Sequence, residues 1–470
     1  MLERYIHTVE EIDTVKYQGR VIRVKGNLIE SSGPQAVIGE VCRIIIPRLG
    51  KEHLAEVVAL KDQRVQLMPY DDIQGIEAGC PVIATGEQLS IQVSDDLLGR
   101  VLDGLGHPVD GLGGIKGSSR RTVFQTPPSP LTRKAIDNQI ITGVRSIDSM
   151  IPLGEGQRIG IFAGSGVGKS TLLGMIARNT SADINVIALI GERGREVREF
   201  LENDLGPEGL KRSVLVVSTG DTSALSRVRG AFTATTIAEY FRDQGKNVML
   251  LFDSVTRLAM SQREIGLSVG EPPATRGYTP SVFTLLPKLL ERSGTAEKGT
   301  ITGVYTILVE GDDMEEPITD AVRGILDGHI VLSRKLAEKY HYPAIDVLAS
   351  VSRLETKIMP LRMRQNAGYI RKLLALYTEK EDLISVGAYA RGSNPLVDEA
   401  IEKIDEINGF LQQKIEENAE LKTTLKDAGM LCGDVLTDED LEILDRKAKL
   451  GTDKKLRDED LRDETISIHA

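Results

Sequence analysis

The run AGSGVGKST at residues 163–171 constrains this 470-residue chain more than any other stretch. It follows a short apolar run, RIGIF (158–162), and opens a helical pattern, KSTLLGMIARN (169–179). A strand, a glycine-rich turn and a helix in that order make a phosphate-binding loop. Gly164, Gly166 and Gly168 let the backbone curl so that its N–H groups face phosphate oxygens. The start of the following helix adds a dipole that favours the same anion. In such a loop Gly164, Ser165, Gly166, Val167, Gly168, Lys169, Ser170 and Thr171 form the ATP-binding cradle. Lys169 bridges the β- and γ-phosphates, and Ser170 binds the Mg²⁺ that accompanies ATP. The first position is Ala163 where the stricter pattern has Gly, and small size is all that position requires.

Around the loop the pattern is α/β. INVIALI (184–190), SVLVVS (213–218) and NVMLLFD (247–253) are near-continuous apolar runs, and helical stretches separate them. Strands alternating with helices predict a mostly parallel sheet covered on both faces. NVMLLFD ends in Asp253, on a strand expected beside the phosphate loop. A carboxylate there suits a Mg²⁺-bound water, although many strands end in Asp only to cap the next helix. Hydrolysis also needs a group that orients or activates water. Glu192, just past INVIALI, is placed for it, with Arg193 and Arg195 alongside. Glu196 and Glu199 read as solvated carboxylates at a helix start, and spacing alone does not decide for Glu192.

The flanks differ in kind. GRVIRVKGNLIE, GEVCRIII, AEVVALKDQRVQLMPY and CPVIATG are short apolar runs between turn signals, which predict a small closed β-barrel over 1–95. Residues 96–150 read as a linker, rich in Gly and Pro, whose Asp-Gly signals mark turns. The ATPase core is predicted over 151–360. YIRKLLALYTEKEDLI and EAIEKIDEINGFLQQKIEENAELKTTLKDAG carry helical periodicity, giving a C-terminal helical domain at 361–436 and a charged tail at 437–470.

Composition removes several classes. Lys plus Arg total 58 and Asp plus Glu 69, a net charge of −11, and Trp is absent. Both facts disfavour a dedicated nucleic-acid binder. Tyr5, Tyr17 and Tyr70 are scattered and form no interleaved basic-aromatic cluster, which counts against an RNA translocase with a related core. Cys42, Cys80 and Cys432 are far apart and lack metal spacing, so reduced thiols are expected. The start, MLERYIHTVEEID, carries acids where a signal peptide needs an apolar run.

Longer stretches carry a resemblance. GERGREVREFLENDLGPEGLKRSV, AEYFRDQGKNVMLLFDSVTRLAMSQREIGLSVGEPPATRGYTPSVF and EKGTITGVYTILVEGDDMEEPITDAVRGILDGHIVLSR resemble the flagellar protein-export ATPases, relatives of injectisome ATPases and of the catalytic subunit of rotary ATP synthases. LGRVLDGLGHPVDG is similar to the same family at its barrel-to-core junction, and the match spans roughly residues 15–415. The resemblance implies a RecA-like core and a homohexameric ring with nucleotide at subunit interfaces. It makes Glu192 the catalytic carboxylate, with Lys169 and Arg193 beside it. Arg353, in VLASVSRL, matches an arginine finger that acts in trans, and Tyr342, in HYPAID, matches the aromatic that packs on adenine. Implied partners are stator-like and stalk-like regulators, a membrane export gate, and export substrates with their chaperones, and no nucleic acid. The implied place is the cytoplasm, peripheral at the inner face of the cell membrane. Alternatives are an injectisome ATPase and a non-catalytic nucleotide-binding ring subunit. Lys169 and Glu192 are both present, which counts against the latter.

Overall fold

The structure is a computed structural model and describes residues 18–309, 311 and 313–441. The first part of the predicted barrel segment, 1–17, and the tail beyond 441 lie outside the described residues. Strands β1 (Gln18–Lys25), β2 (Leu28–Ser31), β3 (Glu40–Ile46), β4 (Lys51–Lys61), β5 (Arg64–Pro69) and β6 (Pro81–Gln88) close into a barrel in the order β1-β2-β5-β4-β3-β6. Successive side chains of a strand point to opposite faces. Val21, Ile29, Cys42, Ile44, Val57, Leu67 and Val82 therefore fill the interior. Cys42, Cys80 and Cys432 are free thiols, and burial pushes that of Cys42 up to about 12.

The central sheet is built from β7 (Val101–Asp103), β8 (Arg158–Ala163), β9 (Ile184–Ile190), β10 (Ser213–Ser218), β11 (Asn247–Asp253), β12 (Thr300–Leu308), β13 (Gly328–Leu332) and β14 (Ile345–Ser352). Their order is β14-β13-β8-β12-β11-β9-β10-β7, parallel throughout except for the antiparallel β13–β14 pair. Alternate residues of one strand enter different cores. Val186, Ala188 and Ile190 pack with helix α3 (Ala224–Asp243) and helix α4 (Val255–Val269). Ile187 and Leu189 pack with helix α1 (Lys169–Asn179) and with the C-terminal helices.

Three expectations change. The stretch read as a linker supplies β7, whose Val101 lies opposite Leu215 of β10 at the sheet edge. Its Asp-Gly turn is closed by Asp103 Oδ1, which accepts from the backbone N–H of Leu105 and His107. The Asp-Gly signals do mark a turn, but the three residues before it complete the sheet. Second, β11 is not beside the phosphate-loop strand, because β12 lies between β11 and β8. Strand order is decided by packing over long sequence separations, which local pattern does not carry. Third, the long C-terminal helical run is divided. Helices α5 (Leu361–Ser385), α6 (Pro395–Leu411) and α7 (Leu421–Leu431) are separate, and 412–420 is a loop. Gln413 breaks the run there: its buried side chain accepts from Arg145 N at 2.7 Å and donates to Gly143 O at 2.8 Å.

Candidate nucleotide-binding and hydrolysis site

The phosphate loop joins the end of β8 to the start of α1. Gly168 caps the helix at φ +95°, a conformation side-chain-bearing residues rarely adopt, and a Cβ there would lie 3.9 Å from the Tyr342 ring. Ser165, Gly166 and Ser170 are exposed at the mouth, while Val167 is buried beneath them. The first turn of α1 presents its free N–H groups to this mouth.

Lys169 sits between two carboxylates. Its Nζ donates to Asp253 Oδ1 at 2.5 Å and lies 3.8 Å from Glu192 Oε1. Burial opposes its charge, but Asp253 and then Glu192 outweigh burial and hold its pKa above the usual value. Asp253 is buried at the end of β11 and reaches the loop across β12. Thr306 of that intervening strand donates its hydroxyl to the same Oδ1 at 2.7 Å. The extra strand therefore costs no contact: Lys169 still reaches Asp253, and Thr306 adds a hydrogen bond to the same oxygen.

Glu192 is half-buried, and its carboxyl is pushed up to about 7. Burial is the main cause; the negative charge of Asp253 adds to it, Lys169 works against it, and a hydrogen bond with Glu196 adds more. Glu192, Lys169 and Ser170 line one cleft of about 380 Å³. Its wall also carries Glu196 and Glu199 of the short helix α2 (Gly194–Glu199), with Ser254 and Arg257.

Sequence reasoning missed three of these contributors. Arg257 follows Asp253 by one helical turn and packs its stem over Gly191, and its charge favours the ionised form of Glu192. Its signal was the four-residue step from a strand-end Asp. Glu196, read as a solvated carboxylate, hydrogen-bonds the carboxyl of Glu192. Thr306 had no local signal. Arg193, expected beside the catalytic carboxylate, is exposed at the cleft rim and lies 3.5 Å from Glu196.

Tyr342 lies on the other side of the loop, in a pocket of about 210 Å³. Val167, Gly168, Leu172, Met175, Pro343 and Ile415 share this lining, and Gln413 adds an amide from the C-terminal loop. A flat apolar slot beside the phosphate cradle has the character of a base pocket.

Arg353 is in neither place. It is exposed just past β14, which runs antiparallel to its neighbour. Gly328 faces Ser352 and His329 faces Gly160, so Ser352 is level with the beginning of β8, whereas the loop follows its end. Five residue steps, Ile159 to Gly164, at about 3.3 Å each put roughly 16 Å between these levels. That is further than an arginine side chain reaches.

Serine and carboxylate oxygens are the hard donors Mg²⁺ selects, and Mg²⁺ commonly takes one or two protein ligands with substrate phosphates and water. Ser170 and Asp253 fit that donor set. Among the described residues, no group of three or more His, Cys, Asp or Glu could hold a metal ion. Among the same residues, no helix is long and apolar enough to cross a membrane.

Comparison with known proteins gives three family matches in chain order. The ATP synthase alpha/beta family β-barrel domain matches residues 21–86 and its nucleotide-binding domain 143–352. The T3SS EscN ATPase C-terminal domain matches 360–427. The chain is 56% identical to the Flagellum-specific ATP synthase of Treponema pallidum (strain Nichols), over 92% of this chain and 97% of that protein. It is 50% identical to the Type 3 secretion system ATPase of Xanthomonas euvesicatoria, over 87% of this chain and 92% of that one. Among solved structures, the assembled ATPase EscN of the enteropathogenic E. coli type III secretion system superposes with a TM-score of 0.84 at 47% identity, covering 88% of this chain and 99% of that one. EscN in complex with its central stalk EscO gives 0.82 at the same identity and coverage.

Proposed function

The chain belongs to the flagellar and type III secretion ATPases of the ATP synthase alpha/beta family, and from that premise we propose that it is the ATP-hydrolysing motor of a flagellar protein-export apparatus, working as a homohexameric ring. The observation that carries this reading is the single cleft in which Lys169 lies between Asp253 and Glu192 at the phosphate loop. A non-catalytic nucleotide-binding subunit has no use for a carboxyl held near neutrality beside that lysine.

The residues divide the work as follows. The loop backbone and Lys169 take the phosphates, so Lys169 must leave Asp253 when ATP enters. Bound Mg²⁺ would supply charge neutralisation across the β- and γ-phosphates, held by Ser170 directly and by Asp253 through water. Glu192 orients and polarises the attacking water. Arg257 steadies Glu192 electrostatically, and Arg193 sits at the rim. Tyr342 packs on the adenine in the slot opposite.

Arg353 completes the site of a neighbouring subunit. Its place at the far end of the sheet supports this, because its own nucleotide is out of reach. Contacts of that kind are heterologous and close into a ring. The assembled form reported for EscN supports the ring, and the EscN–EscO complex supports a stalk-like partner. Stator-like regulators, a membrane export gate and chaperoned export substrates complete the proposal, with the protein in the cytoplasm at the inner face of the membrane.

A second reading is an injectisome ATPase, favoured by the match of 360–427 to the EscN C-terminal domain. The chemistry is the same, and the neighbouring genes separate the two. For the protein itself, phosphate release from ATP together with mass measurement with and without nucleotide is the test. The proposal expects hydrolysis that accompanies assembly into a six-subunit particle. Absence of phosphate release from the assembled particle would refute it.

A further inference from the structure

The root of Arg353 is bolted to the root of the strand that carries the phosphate loop. Arg353 N donates to Asp327 O at 3.1 Å. Asp327 is in turn clasped by Arg158, the first residue of β8. Arg158 N donates to Oδ2 at 3.1 Å, its Nε to Oδ2 at 3.2 Å and its Nη2 to Oδ1 at 3.3 Å. Asp327 N returns a bond to Arg158 O at 2.8 Å. The adjoining residues repeat the arrangement. Fully buried Gln157 donates from Nε2 to Asp327 O at 3.1 Å and to Ser352 Oγ at 3.2 Å, and Ser352 Oγ donates to Pro152 O at 2.7 Å. Gly328 permits the approach: a Cβ there would stand 2.5 Å from Val351 O.

These bonds concentrate on residues 327 and 352, the first hydrogen-bonded to the Arg353 backbone N–H and the second its neighbour in the chain. Among the described residues the Arg353 side chain itself has a single long bond, Nη2 to Arg323 O at 3.4 Å. Its direction is therefore set by its backbone and not by its own contacts. A charge that must meet a neighbour's γ-phosphate needs a fixed base, because a misplacement of about 1 Å costs roughly 10²-fold in rate.

We propose that Asp327, held by Arg158 and Gln157, is a positioning residue that aims Arg353 at the adjoining subunit's nucleotide, tying the finger to the subunit's own phosphate-loop strand. This rests on the trans reading of Arg353. A subunit with a loosened clasp keeps a complete site of its own and offers its neighbour a poorly aimed cation. The defect then belongs to the neighbour's turnover.

The test uses full-length variants. Asp327→Asn keeps size and backbone acceptors but loses the ionic clasp. Its kcat should fall about 10–100-fold with KM for ATP within about twofold. The milder Ser352→Ala, which leaves the half-buried Arg158–Asp327 ion pair intact, should fall less in the same direction. Each is then mixed with Glu192→Gln protein, whose site is inactive and whose finger is intact, with subunit exchange shown by mass. Activity per Asp327→Asn subunit should rise several-fold over that variant alone, as it should for Arg353→Ala in the parallel mixture. Rescue of Arg353→Ala without rescue of either clasp variant overturns the positioning role and leaves the trans finger standing. Failure of all three mixtures overturns the trans reading itself. Unchanged kcat in both clasp variants also overturns the positioning role.

Discussion

Lys169 Nζ stands 2.5 Å from Asp253 Oδ1, so the cation proposed to meet the phosphates is already paired with the carboxylate proposed to hold the metal's water. Nucleotide entry has to part them. The pair keeps the lysine desolvated and charged, with its pKa held above the usual value. Lys169→Ala should therefore abolish hydrolysis and severely weaken ATP affinity, since among the described residues no other lysine lines the cleft. Titration with a fluorescent nucleotide and a phosphate-release assay check it; near-normal turnover would remove the phosphate-loop assignment.

Glu192→Gln should bind ATP and lose turnover by at least about 10²–10⁴-fold, because the amide fills the space but cannot polarise water. Glu196→Gln should remain active. The two carboxyls share a hydrogen bond, so a dead Glu196→Gln beside an active Glu192→Gln would reverse the roles.

The pH profile follows from the same group. Its carboxyl is raised from 4.5 to about 7, and the role proposed for Glu192 needs the base form. kcat/KM reports the free enzyme, so it should be high above about 7 and fall as pH drops through that value. The stability effect has the opposite sense. Below the unfolded pKa both states hold the proton; between 4.5 and about 7 the native state binds more, and the cost of the buried charge is complete above that. Glu192→Gln without nucleotide should thus melt higher than wild type at pH 8 and alike at pH 4. An acid limb centred near 4.5, or equal melting at pH 8, contradicts the shift.

What the sequence could reveal of this site depended on chain distance. The loop was legible because strand, turn and helix are contiguous and each has a local signature: apolar RIGIF, three glycines, and a helix from Lys169. Asp253 stood out as a strand-end acid once the loop was read, whereas spacing alone did not single out Glu192, which the resemblance named. The barrel was legible from short apolar runs between turn signals, such as GEVCRIII. Thr306 was not, because it matters only once β12 is known to divide β11 from β8. Gln413 and Ile415 were not, because a polar loop between amphipathic helices keeps enough periodicity to read as one helix. Arg353 was found by resemblance alone, and its separation from its own loop appears only with the antiparallel turn of β14.

The barrel is fastened to the core by another charge. Arg229 of α3 donates from Nε to Glu56 Oε2 at 2.7 Å and also contacts Oε1, while Tyr70 Oη donates to Oε2 at 2.8 Å. Phe124 lies under the guanidinium at 4.7 Å. The Glu56 side chain is 2% exposed and that of Arg229 12%. Removing one partner of such a pair strands the other, at a cost of about 3–5 kcal/mol. Glu56→Ala should lose that much stability in urea unfolding, and Glu56→Leu with Arg229→Met should recover a large part. A loss under about 1 kcal/mol for the single variant would mean that water reaches Arg229 and the junction is loose.

The last prediction concerns concentration. If Arg353 serves the adjoining subunit, a lone subunit has the loop, Glu192 and Asp253 but lacks the cation that steadies charge spreading over the γ-phosphoryl oxygens. Fingers of this kind are worth about 10³–10⁵ in rate, against about 0–1 kcal/mol for a surface ion pair. Specific activity should therefore climb with protein concentration across the assembly range and level off once rings are complete. Arg353→Ala should assemble over the same range, since its exposed side chain holds only one long bond among the described residues of its own subunit, yet its activity should stay low throughout. Arg353→Lys should behave nearly as poorly, because an ammonium lacks the planar fork that meets two oxygens at once. Sedimentation and phosphate release measured on the same samples decide it. A specific activity that is flat from monomer to ring, or an Arg353→Ala ring as fast as wild type, would place the needed cation within the subunit and make Arg257 the first residue to examine.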